Sequence, residues 1–237
     1  METSRVIITT APGEDRHRPG RPFADKLKRW TVGFLTYGED AAILVYKVVP
    51  SGCPKPEDIP YASKVYAVQA AVRAGFTSIL WADTSVVACR SLSPIWELVE
   101  RVGYWFPRAP QPNVGNWTSD AALPLLGITR EQSFKIPKLA THSLGLDLKT
   151  NIARDFLSQW MDAANNGSFR GAWTNNNHEV SQDPRVCGHR HDLSAASVIA
   201  DRLGMTATTG AFLTYESQIP ETILKTDYGL EEKWMRL

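Results

Sequence analysis

Asp83, Thr84 and Ser85 follow directly on Ser78-Ile79-Leu80-Trp81-Ala82, a run with the apolar character of a buried strand in an α/β sheet. Ligands of such sheets gather beyond the carboxyl ends of the strands, which is where this acid and these two hydroxyls would emerge. A carboxylate with a hydroxyl two residues on can hold a hard divalent cation, and through it a diphosphate. The same residues also suit a plain turn that caps whatever follows. A second concentration of chemistry is His189-Arg190-His191-Asp192, just ahead of Leu193-Ser194-Ala195-Ala196. A helix N-terminus attracts anions and hydroxyls, and an acid there can accept bonds from a polyol. A capping Asp192 or Ser194 with exposed basic neighbours would use the same residues.

The elements that must position these groups follow from periodicity and punctuation. Arg5 to Thr10 reads as a β-branched strand that runs into Ala11-Pro12-Gly13 and a polar loop carrying Arg16, His17, Arg18 and Arg21. With Phe23 to Trp30 helical, strand, Arg- and Gly-bearing loop and helix would form a cradle for a phosphate, although neither G-x-G-x-x-G nor a Walker pattern is present. Gly33 to Tyr37 and Ala42 to Val49 read as two further strands, the second strongly β-prone. Tyr61 to Ala74 is an amphipathic helix with Tyr61, Val65, Val68 and Val72 on one stripe, stopped by Gly75 and feeding the Ser78 strand. Strand, helix and strand in this order predict a parallel crossover.

Further on, Ser93 and Pro94 open a helix with Ile95, Leu98, Val99 and Val102 inward. Arg108 to Asn116 reads as a Pro-rich loop. Ser119 or Asp120 is expected to cap a helix, and Phe134 to Pro137 to form a short strand. Ile152 to Ala164 is a helix ended by Asn165-Asn166-Gly167. The helix after Asp192 turns Ala196, Ile199, Ala200 and Leu203 inward and stops at Gly204. No repeat or linker divides the chain, so the expectation is a single α/β domain over 1–237, with a central, mostly parallel sheet flanked by helices.

The composition is that of an ordinary globular protein: 237 residues, 43% apolar, 22% charged, net charge +1, which favours neither an acidic tail nor a polybasic nucleic-acid binder. Cys53, Cys89 and Cys187 are far apart and in no C-x-x-C pattern, which argues against a disulfide framework or a cysteine zinc site. No signal-peptide core and no run of membrane-spanning length is present, so a cytoplasmic location without a membrane span is expected. The eight tryptophans suit sugar rings and bases as well as a core.

An apolar strand ending in W-x-D-x-S, preceded by a Lys-bearing helix and a Gly turn, resembles the nucleotide-binding half of GT-A type glycosyltransferases. Their D-x-D motif holds a divalent metal against the donor diphosphate. His189-Arg190-His191-Asp192-Leu193-Ser194 is similar to the H-R-x-D-Q-S segment downstream of that motif in several such families, with Leu193 where Gln is usual. The resemblance spans Arg5 to Met205 and rests on these two short motifs. It implies a GT-A-like (Rossmann-like) fold, a nucleotide-diphosphate sugar as donor and a manganese or magnesium ion as cofactor. Asp83 would be the first metal-binding acid. Ser85 stands at the second, a weaker ligand that leaves a loosely held metal or metal independence open. Thr9, Thr10 and Ala11 would lie along the nucleotide with Thr84, and Lys64 and His189 would face the donor. Asp192, His191 and Asp120 are the catalytic candidates, Asp120 as a sugar-hydroxyl acceptor or else a helix cap. Trp173 would stack on a sugar or a base. The H-R-x-D segment leans toward retention of anomeric configuration.

The expected function is therefore transfer of a glycosyl unit to a hydroxyl acceptor, which the sequence leaves open among glycan, protein, lipid, small molecule and modified nucleic-acid base. Two other classes stay open. A two-metal nucleotidyltransferase or hydrolase would need a second acid close to Asp83, and none is near in sequence. A non-catalytic nucleotide-sugar binding module is compatible with Ser85.

Overall fold

A computed structural model describes residues 4–11, 24–208, 213–214 and 222–226. In chain order the elements are β1 (Arg5–Thr10), α1 (Ala24–Tyr37), β2 (Ala42–Tyr46), α2 (Ala62–Arg73), β3 (Ser78–Ala82), β4 (Val86–Ala88), α3 (Ser93–Val102), β5 (Tyr104–Trp105), β6 (Arg108–Asn113), α4 (Ala122–Leu125), α5 (Arg130–Ser133), β7 (Pro137–Leu139), β8 (Ser143–Asp147), α6 (Asn151–Asn166), α7 (His191–Arg202), β9 (Leu213–Thr214) and β10 (Leu224–Thr226).

The central sheet has the order β2-β1-β3-β8-β5. β1 pairs in parallel with both β2 and β3, while β8 runs antiparallel to β3 and to β5. Four of the five strands therefore point one way and only β8 is reversed, which is the mostly parallel sheet flanked by helices that the sequence predicts. Two smaller sheets, β4-β10-β9 and β6-β7, lie outside it.

Alternation along the strands divides the core between the two faces of the sheet. Val6, Ile8, Ile79, Trp81, Leu144 and Leu146 pack beneath α2, α6 and α7 on one face. Ile7, Leu80 and Ala82 pack on the other with Trp30 and Phe34 of α1 and Ile95, Trp96 and Val99 of α3. Both faces of β3 are buried, which explains why it reads as an uninterrupted apolar run.

Several expectations are corrected. Gly33 to Tyr37 is the second half of α1, not a strand. The signal there is the i, i+4 pair Trp30 and Phe34, both buried with rings 4.7 Å apart, while Val32 and Leu35 are exposed. Gly33 fits this helix because a Cβ would meet the Ala88 carbonyl oxygen at 2.8 Å, where α1 rides over β4. β2 ends at Tyr46, short of Val49. Arg108 to Asn113 is β6, paired with β7 across a register shift, where a Pro-rich loop was expected. The short strand expected at Phe134 to Pro137 is displaced to Pro137–Leu139. Neither Asp192 nor Ser194 caps α7: its N-cap position is Arg190, with no side-chain cap bond. Of the expected phosphate cradle, the strand is β1 and the helix is the start of α1, while the polar loop Glu14 to Pro22 between them lies outside the described residues.

Candidate functional site

α2 begins in an unusual way, and the site depends on it. Tyr61, the residue before the helix, adopts left-handed backbone angles (φ 63°, ψ 2°). A left-handed conformation is costly for a bulky side chain and persists only where surroundings enforce it. The turn sends Lys64 inward from the first turn of α2, where its side chain is 5% exposed. A buried ammonium at the positive end of a helix needs strong compensation, and oxygens from three other segments supply it. Lys64 Nζ lies 2.9 Å from Asp192 Oδ2, 2.8 Å from the Thr141 carbonyl oxygen and 3.4 Å from Asp83 Oδ1. The rings of Trp81 and Tyr61 flank it at 5.4 and 5.8 Å.

Asp83 sits just past the carboxyl end of β3. Its backbone N–H donates to the His142 carbonyl at 2.7 Å, and its own carbonyl accepts from Val86 to close the turn. The Trp81 indole N–H donates to Asp83 Oδ1 at 2.6 Å. Burial holds the Asp83 carboxyl above the usual carboxylate range; the Lys64 charge opposes that shift and the nearby Asp192 charge adds to it. The side chain is still 24% exposed, so a ligand can reach it. Because β1 and β3 are parallel with Ile8 beside Trp81, Thr9, Thr10 and Ala11 come out on the same edge. Thr9 is fully buried with no hydrogen-bond partner for its hydroxyl among the described residues, whereas Thr10 is half-buried. Thr84 and Ser85 are both buried, and the Ser85 hydroxyl is closed off from solvent.

The start of α7 completes the cluster. Its first residue, His191, has a positive φ of 43° and stacks on Tyr61 with ring centroids 5.3 Å apart and planes 25° apart. His191 Nδ1 lies 2.8 Å from the Phe169 carbonyl, and burial holds the imidazole below its ordinary pKa. Trp160 fixes the helix start by donating to the Asp192 carbonyl at 3.1 Å. The Arg190 guanidinium lies between two indoles, 3.8 Å from Trp173 and 3.9 Å from Trp117, and donates to the Trp173 carbonyl at 2.6 Å. Burial lowers its pKa to about 10. Lys138 Nζ also lies over the Trp117 ring, 4.8 Å from its centroid, and burial together with the Arg190 charge lowers its pKa to about 7. Trp173 stays 44% exposed. The strand-like runs around Trp173 and His189 approach so closely that only glycine fits at 188, where a Cβ would lie 2.0 Å from the Trp173 carbonyl oxygen.

The residues singled out from sequence thus fall into two groups. Lys64, Asp83, Asp192 and His191 meet at one place, with Trp173 and the end of β1 beside it. His189 and Asp120 serve the framework. His189 is fully buried; its Nδ1 accepts from the Ser119 N–H at 3.2 Å and its Nε2 faces the Ser168 carbonyl at 2.9 Å, so it is the neutral Nε2–H tautomer. Asp120 binds Arg130 at 2.5 Å, the Ser181 hydroxyl at 2.8 Å and the Gln182 N–H at 3.2 Å, locking two loops together. Neither it nor Ser119 stands at the N-cap of α4, which is Ala121 with no side-chain cap bond; Ser119 Oγ accepts from the Ala122 N–H at 3.2 Å in the turn before the helix. Tyr61, Trp81, Thr141 and Trp117 escaped the sequence reading. Tyr61, following Pro60 at a helix start, and Trp81, two residues before Asp83, carried a local signal. An open cavity of about 760 Å³ lined by Tyr37, Arg90, Ser93 and Ile223 contains none of these groups.

No family model matches the sequence, and neither does any curated protein. Solved structures do. A glycosyltransferase involved in glycosylation of the major capsid of PBCV-1 matches over 94% of this chain and 94% of its own, with a TM-score of 0.54 at 10% identity. Mouse xyloside xylosyltransferase 1 in its apo form covers 88% of this chain and 86% of its own at TM-score 0.49 and 8% identity. The galactosyltransferase LgtC, in complex with donor and acceptor sugar analogs, covers 93% and 86% at TM-score 0.46 and 11% identity. At such identities the likeness is one of fold, and that fold is the mixed α/β architecture of GT-A-like glycosyltransferases.

Proposed function

We propose that the protein is a glycosyltransferase that takes a sugar from a nucleotide-diphosphate donor and delivers it to a hydroxyl acceptor, with retention of anomeric configuration. The observation that carries this reading is the convergence of Asp83 and Asp192 on one buried ammonium, at the carboxyl edge of the sheet in a GT-A-like fold. Edges of this kind are where α/β proteins bind nucleotides. Two left-handed aromatic residues at helix starts, Tyr61 and His191, stack against each other there. Backbone strain held in place beside a charged cluster is characteristic of functional sites.

In this reading Asp192, whose Oδ2 is oriented by Lys64, offers its other oxygen to sugar hydroxyls. Thr10 and Ala11 line the nucleotide. The Arg190 guanidinium, immobilised between Trp117 and Trp173, supplies positive charge toward the leaving diphosphate without a cost of reorganisation at the moment of reaction. Trp173 offers an exposed indole to the sugar or base. A divalent metal would supply charge neutralisation at the diphosphate in such an enzyme, but the donor set here fits one poorly. Asp83 Oδ1 is engaged by Lys64 and Trp81, the Ser85 hydroxyl is closed off, and no cluster of three or more His, Cys, Asp or Glu residues able to hold a metal exists among the described residues. No step is therefore assigned to a metal.

The test is a panel of nucleotide sugars screened by thermal shift, since a ligand selective for the native state stabilises it by RT ln(1 + [L]/Kd). Hits are then incubated with glycan, peptide, lipid and nucleic-acid acceptors and assayed for released nucleoside diphosphate, with the anomeric configuration of the product read by proton NMR. Stabilisation without turnover on any acceptor would mark a binding module instead. Release of nucleoside monophosphate with sugar 1-phosphate would mark a hydrolase, and release of sugar 1-phosphate with the nucleotidyl group carried onto the acceptor would mark a nucleotidyltransferase.

A further inference from the structure

The surroundings of Lys64 match a cation site more closely than an ordinary salt bridge. Three oxygens from three separate segments face one nitrogen: Asp192 Oδ2 at 2.9 Å from the start of α7, the Thr141 carbonyl at 2.8 Å from the residues before β8, and Asp83 Oδ1 at 3.4 Å from the end of β3. The ammonium donates to Asp192 Oδ2 and to the Thr141 carbonyl, and Asp83 Oδ1 lies within ion-pair distance. Two carboxylates and a backbone carbonyl are also the hard oxygen set that magnesium, manganese or calcium selects. Asp83 stands at the first acid of the metal-binding pattern, and the ammonium lies on the oxygen that would turn toward an ion.

We propose that the Lys64 ammonium is the resident cation of this site: it fills the oxygen cage that a divalent metal would otherwise occupy, and the site works without such a metal. Lysine is a compact point charge on a flexible stem, suited to standing in for a small ion. The protein supplies this charge from α2 permanently, so the geometry of Asp83 and Asp192 does not wait for an ion to arrive. Ser85 then has no metal to bind, which accounts for a hydroxyl where the pattern has an acid. The cation assignment stands apart from the glycosyltransferase reading; only its consequence for a diphosphate ligand rests on that reading.

The experiment is a titration of manganese alone, followed by electron paramagnetic resonance of the free ion, with wild-type protein, Asp83→Asn, Lys64→Met, and Lys64→Met combined with Asp83→Asn. Wild type is expected to show no saturable site that Asp83→Asn removes. Lys64→Met uncovers two carboxylates, Asp192 buried and Asp83 partly exposed, and is expected to bind manganese at least tenfold more tightly than wild type, with the gain abolished by Asp83→Asn. Thermal stability reports the same event independently, because manganese should raise the melting temperature of Lys64→Met and leave that of wild type unchanged. Should Lys64→Met fail to fold, Lys64→Gln keeps a polar side chain in the cage and carries the same comparison. An Asp83-dependent manganese site in wild type overturns the proposal, and so does a neutral Lys64 variant that folds and gains no affinity. No arm uses a nucleotide sugar, so failure here is distinct from failure of the proposed transferase activity.

Discussion

Asp192→Asn separates two roles that the sequence leaves indistinguishable. If Asp192 served as a helix cap, asparagine would replace it at little cost, because the two residues cap about equally well; stability would then stay within about 1 kcal/mol. In the structure Asp192 instead holds the Lys64 ammonium at 2.9 Å, with both side chains only 5% exposed. Removing one charge from a buried pair costs ~3–5 kcal/mol, most of it the penalty of leaving the other charge uncompensated. Asn retains an oxygen for the ammonium and Asp83 remains at 3.4 Å, so the low end of that range, ~3 kcal/mol, applies. For a chain of this length each kcal/mol moves the melting temperature by about 2–4 °C, which gives a fall of roughly 6–12 °C. Urea unfolding with the slope held in common measures the free energy directly. A double variant, Lys64→Met with Asp192→Leu, removes both charges together and should recover much of the loss, since apolar replacement of a whole buried pair is often neutral or stabilising. If Asp192→Asn unfolds within about 1 kcal/mol of wild type, the buried pair does not exist in solution and the argument for the site falls with it.

Other consequences can be checked with the same unfolding assay. Burial holds His189 neutral with its pKa lowered to about 3, so its folded value lies below its unfolded one. Its contribution is complete above the ordinary imidazole pKa of about 6.5 and is lost as pH falls from there toward 3, a loss that should be smaller in His189→Gln. Lys138 runs between about 7 when folded and 10.5 when unfolded. The charged form is disfavoured in the native state below pH 7, and that penalty fades as pH rises toward 10.5, so Lys138→Met should exceed wild type in stability at pH 7 by a margin that closes by pH 10. A flat difference across that range would show Lys138 to be solvated. Gly33→Ala gains ~1 kcal/mol in helix propensity but drives a methyl to 2.8 Å from the Ala88 carbonyl oxygen. Overpacking costs ~1–3 kcal/mol, so net destabilisation is expected, and a stabilised variant would contradict the packing of α1 on β4. Trp173→Ala should cost only about 0.5–1 kcal/mol of stability, the value of one exposed cation–π face, while weakening ligand binding in the thermal-shift assay far more.

Much of the scaffold was legible because its signals are local. β3 is apolar on both faces and is so buried, α6 shows its 3.6-residue stripe and its Gly167 stop, and α2 ends at Gly75 as its pattern requires. α1 was misread over Gly33 to Tyr37 because Val32, Phe34 and Leu35 look like strand residues in isolation, while the helical partner of Phe34 is Trp30, four residues back. β6 was hidden by its prolines, which a short, irregular two-stranded pairing tolerates.

The site itself divides along a sharper line. The acids could be found from sequence because they stand at element ends, where backbone geometry exposes chemistry. Their partners could not, since pairing is decided by tertiary contact: Lys64 reaches Asp192 across 128 residues and Thr141 across 77. A lysine at the start of an amphipathic helix is by default a surface residue with its head in water. Two features turn this one inward. Tyr61 in the left-handed region rotates the first turn of α2 toward the sheet edge, and the rings of Trp81 and Tyr61 flank the ammonium at 5.4 and 5.8 Å. Once inside, the ammonium requires carboxylates, and two of the three acids that the sequence marks, Asp83 and Asp192, are the ones that meet it. His189 is the converse case. It sits in the most chemically suggestive run of the chain, yet both ring nitrogens are committed to backbone groups of Ser119 and Ser168. Its work is to hold the loop that presents Arg190, His191 and Asp192, and a residue with that duty has no nitrogen left for a ligand.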